Sequence, residues 1–145
     1  MRKFEICKGF ENKDVILPER KTKFSAGYDF FSNEDCVIKP GEVHLVPTGV
    51  KAKMEPDDVL KLYARSSLGV KRGLMLVNSV GIVDSDYYEN EENDGHIMIA
   101  LYNFSNSETI VKKGERIAQG VFSKYLTVES DTCRTIRKGG FGSTK

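Results

Sequence analysis

Short apolar segments recur along the chain, and Gly, Pro, Asn and Asp separate them. An apolar residue at every second position is the period of a β-strand, and helical periodicity is nearly absent here. Many short strands at spacings of about 8–12 residues are typical of a β-sandwich, jelly roll or barrel. The predicted strands are Lys3–Cys7, Cys36–Ile38, Val43–Val46, Asp58–Ala64, Leu74–Asn78, Gly81–Val83, His96–Phe104, Thr109–Val111 and Arg116–Leu126.

Three segments add detail to this pattern. His96–Phe104 is apolar on both faces, which predicts a strand buried inside a sandwich or beneath a subunit interface. Pro40–Gly41 predicts a turn between two strands. Ser66–Lys71 is the one predicted helical turn, because it opens with two hydroxyl residues suited to capping.

The length of 145 residues fits one domain, and the sequence contains no repeat and no linker rich in Pro or Ser. Twenty-two basic and 21 acidic residues give a net charge of +1, which argues against binding nucleic acid through bulk basic charge. No apolar run approaches the roughly 20 residues that a membrane-spanning helix needs. We therefore expect a globular protein without nucleic-acid or membrane partners.

The N-terminus and the cysteines indicate the compartment. The first ten residues lack the apolar stretch of about 7–15 residues found in secretory signals, so we expect a cytoplasmic protein. Cys7, Cys36 and Cys133 are odd in number and widely spaced, which favours free thiols over a disulfide framework. With only His44 and His96 available, no zinc-binding spacing is recognisable.

The near-zero net charge conceals three concentrations of charge. Segments 61–72 and 134–145 each hold four basic residues and no acid, whereas segment 84–94 holds six acids and no base. Such runs are often solvated faces. The residues next to these charges are what suggest a binding or catalytic role.

The residues around Arg65 read Ala-Arg-Ser-Ser-Leu-Gly. A guanidinium, the two hydroxyls of Ser66 and Ser67, and a helix start could bind phosphate, since backbone N–H groups and the helix dipole attract anions. The alternative is a helix cap with an arginine at the surface.

The chain ends in a basic, glycine-rich segment that contains one aromatic residue, Phe141. Glycines leave a backbone that can approach a ligand closely, and an aromatic ring in such a tail is suited to stacking on a base. The alternative is a loose terminus.

Asp84 and Asp86 follow an apolar segment at a spacing of two. An extended backbone would put both carboxylates on one face, where one could act as a general base. A calcium loop is excluded, because Tyr88 and Glu89 occupy positions that require Asp or Asn and Gly. The chain also lacks the P-loop, zinc-protease and dinucleotide-binding motifs.

Five blocks that nearly span the chain, in order, resemble those of the trimeric dUTP pyrophosphatases (dUTPases). The blocks are Ala26-Gly-Tyr-Asp-Phe-Phe-Ser32, Ala64-Arg-Ser-Ser-Leu-Gly69, Asn78 to Tyr87, Gly114-Glu-Arg-Ile-Ala-Gln119 and Gly139-Gly-Phe-Gly-Ser-Thr144. The resemblance implies an all-β, distorted jelly-roll sandwich that assembles as a homotrimer. It also implies a core over residues 1–133 and a flexible lid over residues 134–145 that completes a neighbouring subunit's site.

The reaction implied by the resemblance is hydrolysis of dUTP to dUMP and pyrophosphate with Mg²⁺. This reaction keeps uracil out of DNA and supplies dUMP for thymidylate synthesis. By the same resemblance, Asp84 activates the attacking water and meets the deoxyribose 3′-hydroxyl. Tyr87 packs under the sugar and excludes a ribose 2′-hydroxyl.

The resemblance also assigns the remaining parts of the site. Asn78 and the backbone after it, including Gly81 and Ile82, would read the uracil edge. Asp29 would hold Mg²⁺ through water molecules. The residues implied to contact phosphates are Arg65, Ser66, Ser67 and Gln119. Phe141 would stack on uracil, and the lid residues Gly142, Ser143 and Thr144 would close over the nucleotide.

Two departures from the family pattern stand out. After Tyr87 the chain is about six residues longer, through an acidic insert at residues 88–95 that is similar to the form in some Gram-positive bacteria and phages. We expect this insert to point away from the phosphates, because its charge has the same sign. In the last block, Arg137 lies one position after the place of the family's arginine, which is Ile136 here.

Two alternatives remain at this stage. The first is a dCTP deaminase, or a bifunctional deaminase, of the same superfamily, although Ala100 occupies the position of its catalytic Glu. The second is a nucleotide-gated regulatory protein that binds a partner through residues 88–95, a role compatible with catalysis.

Overall fold

The structure is a computed structural model that describes residues 1–140 and 142. Phe141, Ser143 and Thr144, which the sequence assigns to the site, lie outside the described residues. The described elements are β1 (Lys3–Ile6), β2 (Tyr28–Phe31), β3 (Cys36–Ile38), β4 (Val43–Lys53), β5 (Asp58–Tyr63), α1 (Ser66–Arg72), β6 (Leu74–Leu76), β7 (Gly81–Asp84), a 3-10 helix (Ser85–Tyr87), β8 (Ile97–Asn103), β9 (Thr109–Val111) and β10 (Arg116–Lys124).

The strands form three antiparallel sheets. Two have four strands, in the orders β1-β4-β8-β6 and β2-β10-β5-β7, and β3 pairs with β9 in a third. Non-consecutive strands lie side by side in all three, as expected for a jelly roll. The predicted all-β fold class is confirmed.

The core collects the inward-facing side chains of both large sheets. Phe30, Leu60 and Ile117 come from one sheet, Ile99 and Leu101 from the other, and each is at most 1% exposed. Burial of such side chains is the main favourable term in folding, at roughly 1.5–3 kcal/mol each. The core therefore fixes the two sheets that support the site.

Strand β8 presents two apolar faces, as its sequence predicts, and they differ in burial. Ile97, Ile99 and Leu101 are buried, whereas Met98, Ala100 and Tyr102 on the other face are only half-buried. One face belongs to the core, and the second is an apolar surface of the sheet.

The strand boundaries were largely predictable, but some pairings and extensions were not. Pro40–Gly41 does separate two strands, yet β3 pairs with β9 and β4 pairs with β1 and β8. Strand β4 continues to Lys53 through an irregularity between Pro47 and Val50. Strand β2 was not predicted, because Asp29 interrupts its apolar pattern.

Helix α1 begins at Ser66, as predicted, but its capping differs from the expectation. Arg65 is the N-cap residue, and no side chain makes a capping hydrogen bond there. The helix ends at Gly73, whose φ of 67° allows its N–H to reach the carbonyl oxygen of Gly69. Ser66 and Ser67 are therefore in the first turn, and neither hydroxyl is used for capping.

The chain beyond β10 returns to the edge of the second large sheet. Residues 125–140 contain no helix or strand, and they bring Arg137, Gly139 and Gly140 back to β7 and the residues that follow it. No helix in the described part of the chain is long and apolar enough to cross a membrane.

Candidate active site

A cavity of about 220 Å³ opens beside β7 and β8. Its wall combines apolar side chains of these strands with a few polar groups near the mouth, the usual make-up of a small-molecule site. The lining includes the predicted residues Asn78, Gly81, Ile82, Asp84 and Tyr87, together with Ala100. The segment predicted to read a base therefore forms one continuous wall.

Two hydrogen bonds to the hydroxyl of Tyr87 hold its ring in place. The hydroxyl donates a hydrogen bond to the carbonyl oxygen of His96 at 2.7 Å and accepts one from the side-chain amide of Asn93 at 2.8 Å. Burial raises the pKa of Tyr87 above its ordinary value. The ring is thus a fixed, neutral plate in the cavity wall.

The acidic insert is organised around one buried amide. The side-chain nitrogen of Asn90 donates to the carbonyl oxygen of Tyr87 at 2.8 Å and to the side-chain oxygen of Asn93 at 2.7 Å. Its side-chain oxygen accepts the backbone N–H groups of Glu92 and Asn93. The insert therefore has a defined shape, and that shape places Asn93 on Tyr87.

That the insert points away from the phosphates stays a prediction, and the structure pairs two of its acids with a lysine of β4. Glu89 and Asp94 each lie 2.9 Å from the ammonium nitrogen of Lys51, whose side chain is buried on β4. Burial lowers the pKa of Lys51, but the hydrogen bonds that its ammonium donates to Glu89 and Asp94 outweigh this effect and raise the pKa above the usual range. The local cation offsets the like-charge repulsion that motivated the expectation.

Arg137 bridges the carboxylates of Asp84, the last residue of β7, and Asp86, two residues later. Its guanidinium contacts the carboxylate of Asp84 and lies 2.9 Å from that of Asp86. A strand period does not bring the acids together, because Asp84 ends β7 and Asp86 belongs to the 3-10 helix. Asp84 nevertheless stays half exposed, so one face of its carboxylate is open to solvent.

Arg137 also orients the tail over the cavity. It donates to the carbonyl oxygen of Gly139 at 2.9 Å, and its guanidinium lies 6.0 Å from the centre of the Tyr87 ring. A Cβ atom at Gly140 would come within 2.6 Å of that ring, and one at Gly139 would overlap Glu92. The close approach therefore requires glycine at Gly140, because the Tyr87 ring is held in place, whereas the exposed Glu92 side chain could move aside at Gly139.

A second pocket, of about 440 Å³, contains most of the residues predicted to contact phosphate. Its lining includes Arg65, Ser66 and Gln119 around the carboxylate of Asp29. Ser67 lies beside it, in an adjoining depression that shares Arg65. Three cations (Lys21, Arg65 and Arg116), one carboxylate and an amide thus converge where the sequence predicts phosphate binding.

Asp29 is the electrostatic centre of the second pocket. Its carboxylate lies 3.6 Å from the guanidinium of Arg65 and 3.3 Å from that of Arg116. Arg116 was not predicted as a site residue, although it stands in the fourth block, three positions before Gln119. A basic residue within a recognised block was the signal that could have identified it.

The two pockets have no lining residue in common. The strand order β2-β10-β5-β7 explains this, since Asp29 is on β2 at one edge of the sheet and Asp84 ends β7 at the other. Gly142, the last described residue, is exposed, with a φ of 94° and open space around it. The residues predicted to bind the nucleotide base and those predicted to bind its phosphates thus lie in separate pockets of one chain.

Comparison with known proteins agrees with these features. The dUTPase family model matches residues 13–145. A deoxyuridine 5′-triphosphate nucleotidohydrolase of Lactococcus lactis is 44% identical over an alignment of 146 positions that covers 99% of this chain and 97% of the relative. The crystal structure of dUTPase from Streptococcus mutans is 42% identical, with a TM-score of 0.83 over 88% of this chain and 98% of that one.

A more distant structure shares the fold. A variant dUTPase from phage phi11 of S. aureus, whose structure describes a structural Mg(II) ion, is 21% identical with a TM-score of 0.73, covering 93% of this chain and 97% of that one. The family model alone spans most of the sequence, and the five blocks fall within it. The chain belongs to the dUTPase family.

Proposed function

We propose that the protein hydrolyses dUTP to dUMP and pyrophosphate, which keeps uracil out of DNA and supplies dUMP for thymidylate synthesis. One observation carries the proposal: a cavity of about 220 Å³ with a base-sized apolar interior and the carboxylate of Asp84 at its mouth. Such a cavity suits a flat pyrimidine, with the sugar and phosphates emerging beside the acid. We expect the enzyme to act in the cytoplasm.

We assign uracil recognition to Asn78 and the start of β7. Gly81 pairs with Leu62 on β5, and a Cβ at Gly81 would come within 3.1 Å of the Leu62 side chain. The absence of a side chain thus keeps β7 close to β5. Asn78 offers a donor and an acceptor, which match the edge of a uracil ring.

Tyr87 selects deoxyribose. Its hydroxyl is occupied by His96 and Asn93, so the ring cannot turn aside to admit a 2′-hydroxyl. Rejection of an added hydroxyl requires a wall that does not move. The insert supplies one of the two hydrogen bonds that fix this wall.

Asp84 serves as the general base. Its carboxylate takes a proton from a water molecule as the water oxygen bonds to phosphorus and the bond to the pyrophosphate group breaks. The open face of the carboxylate leaves room for that water. Arg137 occupies the other face, so it must hold Asp84 through the reaction or move to the phosphates.

The phosphate contacts come from Arg65, Ser66, Ser67 and Gln119, to which we add Arg116. Fixed cations and hydroxyls stabilise the charge that develops on the phosphate oxygens and on the leaving pyrophosphate. Helix α1 adds the backbone N–H groups of its first turn. In the described part of the chain no side chain caps the helix, and the Leu68 N–H already bonds to the Arg65 carbonyl oxygen, so the donors on offer are the N–H groups of Ser66 and Ser67.

Magnesium fits the second pocket through Asp29. Mg²⁺ retains several water ligands and binds proteins through one or two carboxylates together with substrate phosphates. The carboxylate of Asp29 lines the pocket beside Arg65 and Gln119. Asp29 would hold the hydrated ion through water, and the ion would supply charge neutralisation on the phosphates.

The separation of the two pockets supports a site shared between subunits of a homotrimer. Val43, Leu45 and Met75 are exposed and lie on one face of the first large sheet, beside Tyr102 and Ala100, their partners in register. An apolar patch of this kind marks an interface. Ala100 also lines the cavity, so a second subunit on this face would help to close it.

We further propose that residues 134–145 form a lid on a core of residues 1–133. In the single chain, Arg137 and Gly140 already lie at the cavity that the lid would cover. In the trimer the lid would complete a neighbouring subunit's site, with Phe141 on uracil and Gly142, Ser143 and Thr144 over the phosphates. Closure would exclude water when the nucleotide is bound.

Neither alternative gains support. A deaminase of this superfamily needs a carboxylate where Ala100 stands, and Ala100 offers only a methyl group to the cavity. A regulatory partner would bind residues 88–95, but this insert directs Glu89 and Asp94 to Lys51 and Asn93 to Tyr87. These contacts lie within the chain itself, and the one from Asn93 holds Tyr87 in the cavity wall.

The test is a panel of nucleotides supplied to the full chain with and without Mg²⁺. We expect pyrophosphate from dUTP in the presence of Mg²⁺, and much less from dCTP, dTTP and UTP. Chromatography of the products identifies the base. Absence of pyrophosphate from dUTP contradicts the proposal, and conversion of dCTP to a uracil nucleotide supports the deaminase instead.

A further inference from the structure

A cysteine, a histidine and a glutamate meet at one end of the fold. In the described part of the chain, Glu34, Cys36 and His44 form a group whose possible ligand atoms all lie within 4.8 Å of one another. The imidazole Nε2 atom of His44 lies 2.6 Å from a carboxylate oxygen of Glu34. None of the three lines the cavity or the phosphate pocket.

The fold creates this group from residues whose spacing gives no zinc motif. Cys36 begins β3 and His44 belongs to β4, and the turn at Pro40–Gly41 returns the chain between these strands. Glu34 is fixed by Ser32, whose hydroxyl donates to the Glu34 carbonyl at 2.7 Å and accepts its N–H at 3.2 Å. The three donors therefore come from two backbone segments: the turn that leads into β3 holds Glu34 and Cys36, and β4 holds His44.

His44 faces away from the apolar surface that we assign to subunit contact. It pairs in register with the buried residue Leu101, whereas its neighbours Val43 and Leu45 pair with the half-buried residues Tyr102 and Ala100. Successive side chains of a strand point to opposite faces. His44 lies on the core-facing side of β4 but is one-third exposed, so assembly through the apolar face would leave it accessible.

The electrostatic surroundings favour a cation. The carboxylates of Glu34, Asp35, Glu42 and Glu115 all lie near the Cys36 thiol and make this end of the fold negative. A divalent ion would neutralise this negative field and take the place of the thiol proton, which passes to solvent. His44 and Glu34 are each about one-third exposed, at 32% and 37%, so an ion can enter from solvent.

We propose that Glu34, Cys36 and His44 form a binding site for a zinc-class transition-metal dication. One thiolate, one imidazole and one carboxylate are typical zinc ligands, and three protein ligands leave a fourth tetrahedral position for water. Sulfur and nitrogen donors select such a metal over Mg²⁺, which prefers oxygen. The bound ion would join the 32–35 turn to β3 and β4 and so stabilise this end of the fold.

The test uses the full chain kept in saturating Mg²⁺, with Zn²⁺ titrated by calorimetry and Co²⁺ followed by its absorption. We expect one ion per chain and a sulfur-to-cobalt charge-transfer band in the near ultraviolet. Cys36→Ser should abolish the band, and Cys36→Ser and His44→Gln should each weaken Zn²⁺ binding by at least about tenfold. Cys133→Ser is the matched control, because Cys133 is an exposed free thiol elsewhere, and it should bind as the parent does.

The outcomes separate this proposal from the proposed function. Circular dichroism and dUTP turnover in Mg²⁺ verify that each variant is folded, and both should match the parent for all three variants. Failure of the parent to bind Zn²⁺ or Co²⁺ overturns the metal site and leaves dUTP hydrolysis untouched. A cobalt band that survives in Cys36→Ser, or that is lost in Cys133→Ser, overturns it equally.

Discussion

The guanidinium of Arg137 forms an ion pair with the carboxylate of Asp84 at the mouth of the cavity. Arg137 comes from the tail and Asp84 from the end of β7, 53 residues apart in the chain. A tail cation thus occupies one side of the proposed catalytic base. Arg137 would therefore both dock the lid and bring positive charge to the phosphates.

Removal of this cation should slow the reaction. In Arg137→Ala we expect kcat/KM for dUTP to fall by about 10–100-fold, since hydrogen bonds to charged groups contribute roughly 1.5–3 kcal/mol. Arg134→Ala is the matched control, because Arg134 is exposed and, among the described residues, its side chain donates a hydrogen bond only to the neighbouring Cys133 carbonyl oxygen. A faster Arg137→Ala enzyme would mean that the ion pair inhibits Asp84.

The insert should influence the choice of sugar. Asn93→Ala removes one of the two hydrogen bonds that hold the hydroxyl of Tyr87. We expect the ratio of dUTP to UTP turnover to fall by about 3–10-fold, in line with roughly 0.5–1.5 kcal/mol for one hydrogen bond. Glu91→Ala, at an exposed position of the same insert, should keep the parent ratio. Equal ratios in both variants would argue that the insert plays no part in selectivity.

His96 should make the protein less stable in mild acid. Burial lowers the pKa of His96 below its ordinary value of 6.5, and its Nε2 atom accepts the Gly49 N–H at 2.9 Å. The unfolded chain therefore binds a proton before the folded one does. The contribution is complete above about pH 6.5 and is lost as the pH falls from there through the folded-state pKa.

Urea denaturation measures this effect. The free energy of unfolding of the parent should decrease from pH 7.5 to pH 5.5, and the decrease should be smaller in His96→Gln, which has no proton to gain there. The carboxylates with lowered pKa values, such as Asp94, gain protons only at lower pH, so they do not explain a loss of stability between pH 7.5 and pH 5.5. The same decrease in both proteins would assign it to another group.

A shared site predicts complementation between two inactive variants. Asp84→Asn lacks the base and Arg65→Gln lacks a phosphate ligand, so each alone should be nearly inactive. If subunits are exchanged by joint unfolding and refolding, about a quarter of the sites in random trimers would combine intact Asp84 and intact Arg65. Recovery of activity toward that fraction supports the shared site. No recovery, with exchange verified by mass, would place the whole site within one chain.

The strands were predictable because alternation is a local property of the sequence. Thr109–Val111 and Cys36–Ile38 have the predicted bounds. Their pairing with each other was not predictable, since the turn at Pro40–Gly41 suggests a neighbour nearer in the chain. Strand pairing depends on the core of the whole fold, which a local pattern does not describe.

The site shows the same division. Asp84, Tyr87 and Asn78 line one cavity as predicted, because they are close in sequence and share one wall. The ion pair of Arg137 with Asp84 joins segments 53 residues apart, and the hold of Asn93 on Tyr87 and the grouping of Cys36 with His44 depend on how the chain turns between those residues. Motif spacing does not report such contacts, and only the fold shows them.

The central claim is that Asp84 activates the water that attacks dUTP. The direct measurement is single-turnover pyrophosphate release by Asp84→Asn, with dUTP binding measured in parallel. The matched control is Asp86→Asn, since both acids contact Arg137. We predict that Asp84→Asn still binds dUTP but loses at least about 100-fold in rate, in keeping with the usual contribution of a general base, whereas Asp86→Asn stays within about tenfold of the parent. Near-parent release by Asp84→Asn would contradict the account.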